Sequence, residues 1–253
     1  MSGHSKWSKI QHKKGLLDAK RGKVFSKLSR EMAIVVKEGG TSDPNLNPSL
    51  RSIIERAKKE QMPKKNIENA IKTGGKGKNV TMERILYEAY GRGGVALLIS
   101  IITDNKNRTV SEIRKILRSN GGNLAESGSV LWQFEKVGFV AIPYSKTIVS
   151  KKFGKGNKKK EIAKDVIFDE VTSLKGIMDV SFEEKEVKVY VCENDLHKAR
   201  EELDSLSYEI IASGILYKPR NRVKADTDTL ESINLLVEAL EESEDVVDIW
   251  TNL

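Results

Sequence analysis

At 253 residues the chain exceeds the usual single-domain size, and it carries 38% hydrophobic and 32% charged residues with a net charge of +8. Two or three soluble domains with proper cores are the expectation. No apolar run approaches the roughly 18 residues of a membrane span, and a single cysteine, Cys192, excludes an internal disulfide framework.

Three histidines, His4, His12 and His197, give no metal-ligand cluster at recognised spacing. Cys192 lies in the alternating run EVKVYVC and reads as a small core residue. The basic start MSGHSKWSKIQHKKG lacks the apolar segment of a secretory signal, so the protein is expected in the cytoplasm, without metal or cofactor. A mitochondrial address is the lesser alternative, because Gly3, Trp7, Gly15 and Asp18 make a poor amphipathic transit helix.

Charge is distributed unevenly. Residues 1–79 hold 19 Lys+Arg against 7 Asp+Glu, a net of +12, whereas the remainder carries −4. From Asp226 to Leu253 there are nine acidic residues and no basic one. This polarity points to a polyanionic partner at one end of the chain.

In chain order, segment 1–15 has no hydrophobic periodicity and reads as a flexible basic arm bearing Lys6, Lys9, Lys13 and Lys14. Such an arm orders along a phosphate backbone. Trp7 within it either stacks on an unpaired base or packs back on the helices. A helix is predicted over about 17–38, closed by Gly39-Gly40, with Phe25, Leu28, Met32, Val35 and Val36 in one stripe. Lys20, Lys23, Lys27 and Arg30 fall on the opposite face, as a solvated row about 15 Å long suited to phosphate oxygens. Reversing their charge is expected to abolish nucleic-acid binding without disturbing the fold. Arg21 lies nearer the apolar side, where a structural partner suits it better.

Asn47 is the expected N-cap of a second helix, with Pro48 at its first position and Leu50, Ile53, Ile54 and Ala57 as its apolar stripe. Met62-Pro63 starts a third, with Ile67, Ala70 and Ile71 inward and Gly74-Gly75 at its end. Three short amphipathic helices bury one another as a small bundle. GGKGKN (74–79) is a linker; its spacing and position fail those of a phosphate-binding loop.

Beyond Tyr90, VALLISIIT is a buried strand, followed by a helix that Thr109 and Glu112 cap as a box and Gly121-Gly122 stop. SVLWQFE alternates as a further strand. FVAI, a helix at about 161–175, strands at 177–182 and 186–192, a helix at about 195–206 and a strand from Tyr208 make the β-α-β-β-α-β order of a ferredoxin-like domain. A strand through Leu216, a helix at about 230–241 and the strand VVDIW repeat that order with the strand-helix-strand at 94–135. The predicted class is α+β: an N-terminal three-helix module (1–79) and two ferredoxin-like α/β domains. One domain is split (80–135 and 213–253) and the other is inserted at 136–212. In the turn TDNKNRT (103–109), Asp104, Asn105 and Asn107 satisfy backbone groups. Arg108 offers at most a secondary phosphate contact at the helix N-terminus.

GHSKW (3–7) with His12 and Lys13, DAKRGKVFSKLSRE (18–31), DPNLNPSLR (43–51), MPKKNIENAI (62–71), YEAYGRGGVA (87–96), TDNKNRT (103–109) and GSVLWQF (128–134) together resemble the YebC family over nearly the full length. The resemblance implies a helical domain followed by two α/β domains, one inserted in the other. It also implies a probable DNA-binding transcriptional regulator. One branch resembles mitochondrial translational activators, and some members look like ribosome-associated factors that relieve stalls at proline-rich stretches. Ala89 and Arg92 depart from the usual YEGYGPGG of the family.

Two functions follow: a DNA-binding regulator of transcription, or a translation factor on ribosomal RNA and the ribosome. The candidate nucleic-acid-binding residues are Lys6, Trp7, Lys9, Lys13, Lys14, Lys20, Lys23, Lys27 and Arg30. No catalytic constellation is visible: a nuclease needs carboxylates clustered around a metal, and no membrane or small-molecule partner is indicated.

Overall fold

A computed structural model describes residues 4–75, 82–148 and 158–253, with side chains from residue 21 onward except those of Pro48, Ile148 and Lys158. The chain is α+β and divides into two compact units. The first comprises the residues up to Leu131 together with Val223–Thr251; the second is Trp132–Arg222.

In the first unit, α1 (His4–Gly39), α2 (Pro48–Lys59) and α3 (Lys64–Gly75) form the helical module. Leu28, Met32, Val35 and Val36 of α1 meet Leu50, Ile53 and Ala57 of α2 and Ile67 and Ala70 of α3. Asn47 caps α2 as expected: its carbonyl accepts from the Leu50 amide at 3.0 Å, while its amide donates back to the Val35 carbonyl at 3.1 Å. One side chain thereby starts one helix and ties down the end of another. Gly74 lets α3 approach α1, since a Cβ there would lie 2.5 Å from the Ala33 carbonyl oxygen.

The segment read as a flexible arm is helical from His4 onward, as an extension of α1. Periodicity was the wrong criterion there. Lys, Gln, Leu and Ala are good helix formers, so a helix anchored by packing further along propagates through them.

The sheet of this unit is built from β1 (Glu83–Tyr90), β2 (Ala96–Thr103), β3 (Asn123–Leu124) and β10 (Val246–Thr251), in the order β10-β2-β1-β3. α4 (Lys106–Ser119) and α7 (Thr227–Glu241) pack through Ile113, Leu117, Ile233, Leu236 and Leu240 on Val95, Leu97, Ile99 and Ile101. β1 went unread in the sequence, although it pairs with β2 over its whole length. Ala89 is a buried strand residue in it. Ile102 belongs to the core of the helical module, and Met82 and Val247 pack against that core.

The second unit contains β4 (Phe134–Ile142), the hairpin β5 (Ser145–Ile148) and β6 (Lys158–Glu161), α5 (Lys164–Thr172), β7 (Ile177–Phe182), β8 (Val187–Val191), α6 (Leu196–Ser205) and β9 (Ala212–Pro219). Its main sheet, β7-β8-β4-β9, has the ferredoxin-like order. β4 and β9 pair from Phe134↔Pro219 to Ala141↔Ala212, so the unit extends beyond 136–212 at both ends. The run 128–133 is not a strand. Its last three residues form a 3₁₀ turn, and the Glu88 carboxylate accepts from the amides of Gly128 (2.5 Å), Val130 (2.7 Å) and Leu131 (2.8 Å). Cys192 is exposed and not in the core: it follows the last residue of β8, where the alternation ends.

Candidate nucleic-acid interface

Lys6, Trp7, Lys9, Lys13, Lys14 and Lys20 lie on the amino-terminal half of α1, whose side chains fall outside the described residues. Lys23, Lys27 and Arg30 follow on the same row, and these do not stand free. Lys23 forms an ion pair with Glu242. The Lys27 ammonium donates to the Glu241 carbonyl at 2.6 Å. Arg30 donates to the Glu244 carbonyl at 2.9 Å and pairs with the carboxylates of Glu244 (3.1 Å) and Asp245.

The row expected in solvent therefore meets the acidic turn between α7 and β10. A signal for this is present in the sequence. Ile34 lies 180° from Phe25 on a helical wheel, in line with Lys23, Lys27 and Arg30, and it is buried. Every residue from Glu31 to Val36 is buried, so this stretch of α1 is packed on all sides, as a fully packed helix is. Arg21 finds the partner expected of it, the Gln61 side-chain carbonyl at 3.1 Å.

Burial and the neighbouring Lys23 lower the Lys27 pKa, against the opposing pull of Glu241 and Glu242. Glu31, on the packed side, is raised by burial despite its 2.8 Å ion pair with Arg56.

Asp245 closes the far end of the row. It is 5% exposed, and its Oδ2 accepts from the hydroxyls of Thr109 (2.5 Å) and Thr103 (3.2 Å) and from Arg108 (3.2 Å). Burial pushes its carboxyl upward, but these bonds and the charge of Arg30 outweigh that and hold it below the usual range. The acidic tail, read from the sequence only as a contrast to the basic end, thus supplies partners for the basic row.

Arg108 is similarly engaged, by Asp104 at 3.0 Å as well as Asp245. The cap of α4 is Asn105, whose carbonyl accepts from the Arg108 amide at 3.0 Å. Thr109 and Glu112 do not form the expected box, because the Thr109 hydroxyl is turned inward to Asp245. A cleft lined by Arg30, Met82, Ile102, Asp104 and Arg108 holds about 120 Å³. That is well below the roughly 300 Å³ at which small-molecule sites begin. Among the described residues, no three His, Cys, Asp or Glu are grouped to hold a metal, and no helix is long and apolar enough to cross a membrane.

Comparison with known proteins matches residues 5–77 to the TACO1/YebC protein N-terminal domain and residues 82–253 to the TACO1/YebC second and third domain. A probable transcriptional regulatory protein of Geobacter sulfurreducens is 41% identical over 256 residues, covering 100% of this chain and 95% of the relative. Another, from Fervidobacterium nodosum, is 43% identical over 257 residues, covering 100% and 93%. The crystal structure of a conserved hypothetical protein from Aquifex aeolicus superposes with a TM-score of 0.80 at 35% identity, covering 93% of this chain and 90% of that one.

Proposed function

The chain belongs to the TACO1/YebC family, and on that premise we propose that it is a non-enzymatic, nucleic-acid-binding regulator of gene expression. The grip on the phosphate backbone is assigned to the amino-terminal half of α1. The observation that carries this reading is the sorting of charge along the chain. Residues 4–20 hold five lysines and one acid, Asp18, whereas Lys23, Lys27 and Arg30 already have carboxylate or carbonyl partners. Lys6, Lys9, Lys13, Lys14 and Lys20 are therefore assigned the phosphates, Trp7 a base or sugar, and the engaged cations the role of anchoring the helix.

The relatives are named probable transcriptional regulatory proteins, and a transcriptional role makes duplex DNA the first proposed target and the cytoplasm the proposed setting. Ribosomal RNA is the second reading, favoured because the assigned residues 6, 9, 13, 14 and 20 are all lysines and include no Asn, Gln or Arg to read a discrete DNA site. Lysines are point charges that suit phosphates, unlike the Asn, Gln and Arg sets that read base edges. Either target implies strong salt dependence.

The test is ultraviolet crosslinking in cells at native expression, with sequencing of both bound DNA and bound RNA, for the wild type and a K6E/K9E/K13E/K14E variant. Discrete chromosomal peaks lost in the variant support a transcriptional regulator. Reads concentrated on ribosomal RNA and lost in the variant support a translation factor. Recovery of neither above an uncrosslinked control would overturn the proposal.

A further inference from the structure

The cations of α4 differ from those of α1 in one respect that bears on binding. α4 carries five Lys+Arg, namely Lys106, Arg108, Arg114, Lys115 and Arg118, against one acid, Glu112. Its apolar residues Ile113 and Leu117 are buried, with Ile116 packed beside them on the sheet. Arg114, Lys115 and Arg118 are exposed, on the side away from that core. Among the described residues, Lys106, Arg114, Lys115 and Arg118 make no side-chain hydrogen bond or ion pair. Arg118 stands about one helical turn, roughly 5.4 Å, beyond Arg114 and Lys115, and Asn107 and Ser111 lie on the same face.

This distribution is not that of an ordinary solvated helix with mixed charge. The neighbouring α7 exposes Asp228, Glu231 and Glu238 and contains no basic residue. The two helices share one core, yet the free cations of α4 do not pair with the acids of α7. Charge is sorted onto separate helices, which forgoes the small gain of mixed pairs and leaves a basic strip bounded on one side by an acidic one.

An unpaired cation on the surface binds a phosphate by releasing counterions, with no internal partner to displace. Lys23 and Arg30 must first give up protein carboxylates. We propose that the solvent face of α4, through Arg114, Lys115 and Arg118, is a second phosphate-backbone contact for nucleic acid, with the acidic face of α7 confining the polyanion to the α4 side. The inference rests on the nucleic-acid reading above and extends it to a second domain. It is a backbone contact without base reading, so it adds affinity and salt dependence and no sequence preference.

The test measures fluorescence anisotropy of a labelled mixed-sequence duplex DNA and of a structured RNA hairpin across a salt series, with the full chain. Its R114Q/K115Q/R118Q variant and the K6E/K9E/K13E/K14E variant are measured alongside. The α4 variant is expected to keep its circular dichroism and melting temperature, because the three side chains are exposed and make no hydrogen bond or ion pair. On at least one probe it is expected to bind roughly tenfold or more weakly, with the slope of log K against log salt reduced by about 3. A K115Q/R118Q pair, expected to lose about 2 from the slope, decides the matter if the triple variant melts early. Unchanged affinity and slope for the α4 variants, with loss in the α1 variant, would overturn the α4 assignment and leave the proposed function standing. Failure of the wild type to bind either probe would overturn both.

Discussion

Arg30 of α1 and Arg108 of α4 hold opposite oxygens of one buried carboxylate: Arg30 pairs with Oδ1 of Asp245 and Arg108 donates to Oδ2 at 3.2 Å. Two helices far apart in sequence are thereby fixed to the turn that leads into β10. Replacing Asp245 with Ala removes the carboxylate shared by the buried hydroxyls of Thr103 and Thr109 and leaves Arg30 with Glu244 alone. D245A is expected to destabilise the first unit by about 2–4 kcal/mol, as read by denaturant unfolding. A loss under about 1 kcal/mol would mean that the carboxylate is dispensable.

The pH dependence follows from the same group. Asp245 and Glu88 are both held below their ordinary values of 3.8 and 4.5. In each, burial alone pushes upward and hydrogen bonds outweigh it. A depressed carboxylate contributes stability that is present above its ordinary value and is lost as pH falls through the folded one. Unfolding free energy should therefore fall steeply below about pH 4, and D245N should flatten that limb. Glu31 has the opposite sign: burial raises it above 4.5, so its contribution is lost as pH rises through that region. An E31Q variant should lose the decline above its ordinary value while keeping the acid limb. Identical curves for wild type, D245N and E31Q would contradict these assignments.

Glu88 organises the segment before the inserted unit. E88A removes the acceptor for three amides and is expected to cost about 1–3 kcal/mol. Hydrogen exchange should accelerate at residues 128–131 and change little in α3. Protection unchanged at 128–131 would show that the turn holds itself.

Glu241, Glu242 and Glu244 are exposed, so the ion pairs of Glu242 and Glu244 with α1, and the charge of Glu241 near Lys27, are worth little. The E241Q/E242Q/E244Q variant should melt within about 1 kcal/mol of wild type. Its affinity for the probe that the wild type binds should rise, because Lys23 and Arg30 lose competing anions. Weaker binding would place the nucleic acid away from this row.

Gly74→Ala tests the contact between α1 and α3. Its Cβ would sit 2.9 Å from Ala33 Cα as well as 2.5 Å from the Ala33 oxygen, and backbone does not yield as a side-chain tip does. A loss of about 2–3 kcal/mol is expected by thermal or denaturant melting.

Much of this fold is readable from local signals. Asn47-Pro48 starts α2 because an acceptor and a preset φ suit a helix end. The alternation in Val187–Val191 marks β8, and the order of the inserted unit follows from its periodicities. What was not readable depends on partners distant in the chain. The basic row on α1 looks solvated until residues 241–245 meet it, and only Ile34 hints that the face is covered. Thr109 resembles a capping residue in sequence, but Asp245 claims its hydroxyl. The run 128–133 alternates like a strand, yet Glu88 takes the amides a neighbouring strand would need. The basic face of α4 is not legible from the charge of a segment, because it depends on which cations already have a partner in the fold.

The pairing of Phe134 with Pro219 at the outer end of the β4–β9 ladder has a consequence for assembly. Where the insertion leaves the first unit and where it returns are neighbours across two hydrogen-bonded strands. Once the inserted sheet has formed, the search that brings β10 beside β2 is that of a chain closing a short loop, since the entropy of closure grows with the length still free. The order of events is thereby biased. Formation of the β4–β9 ladder shortens the path by which the split domain finds its last strand.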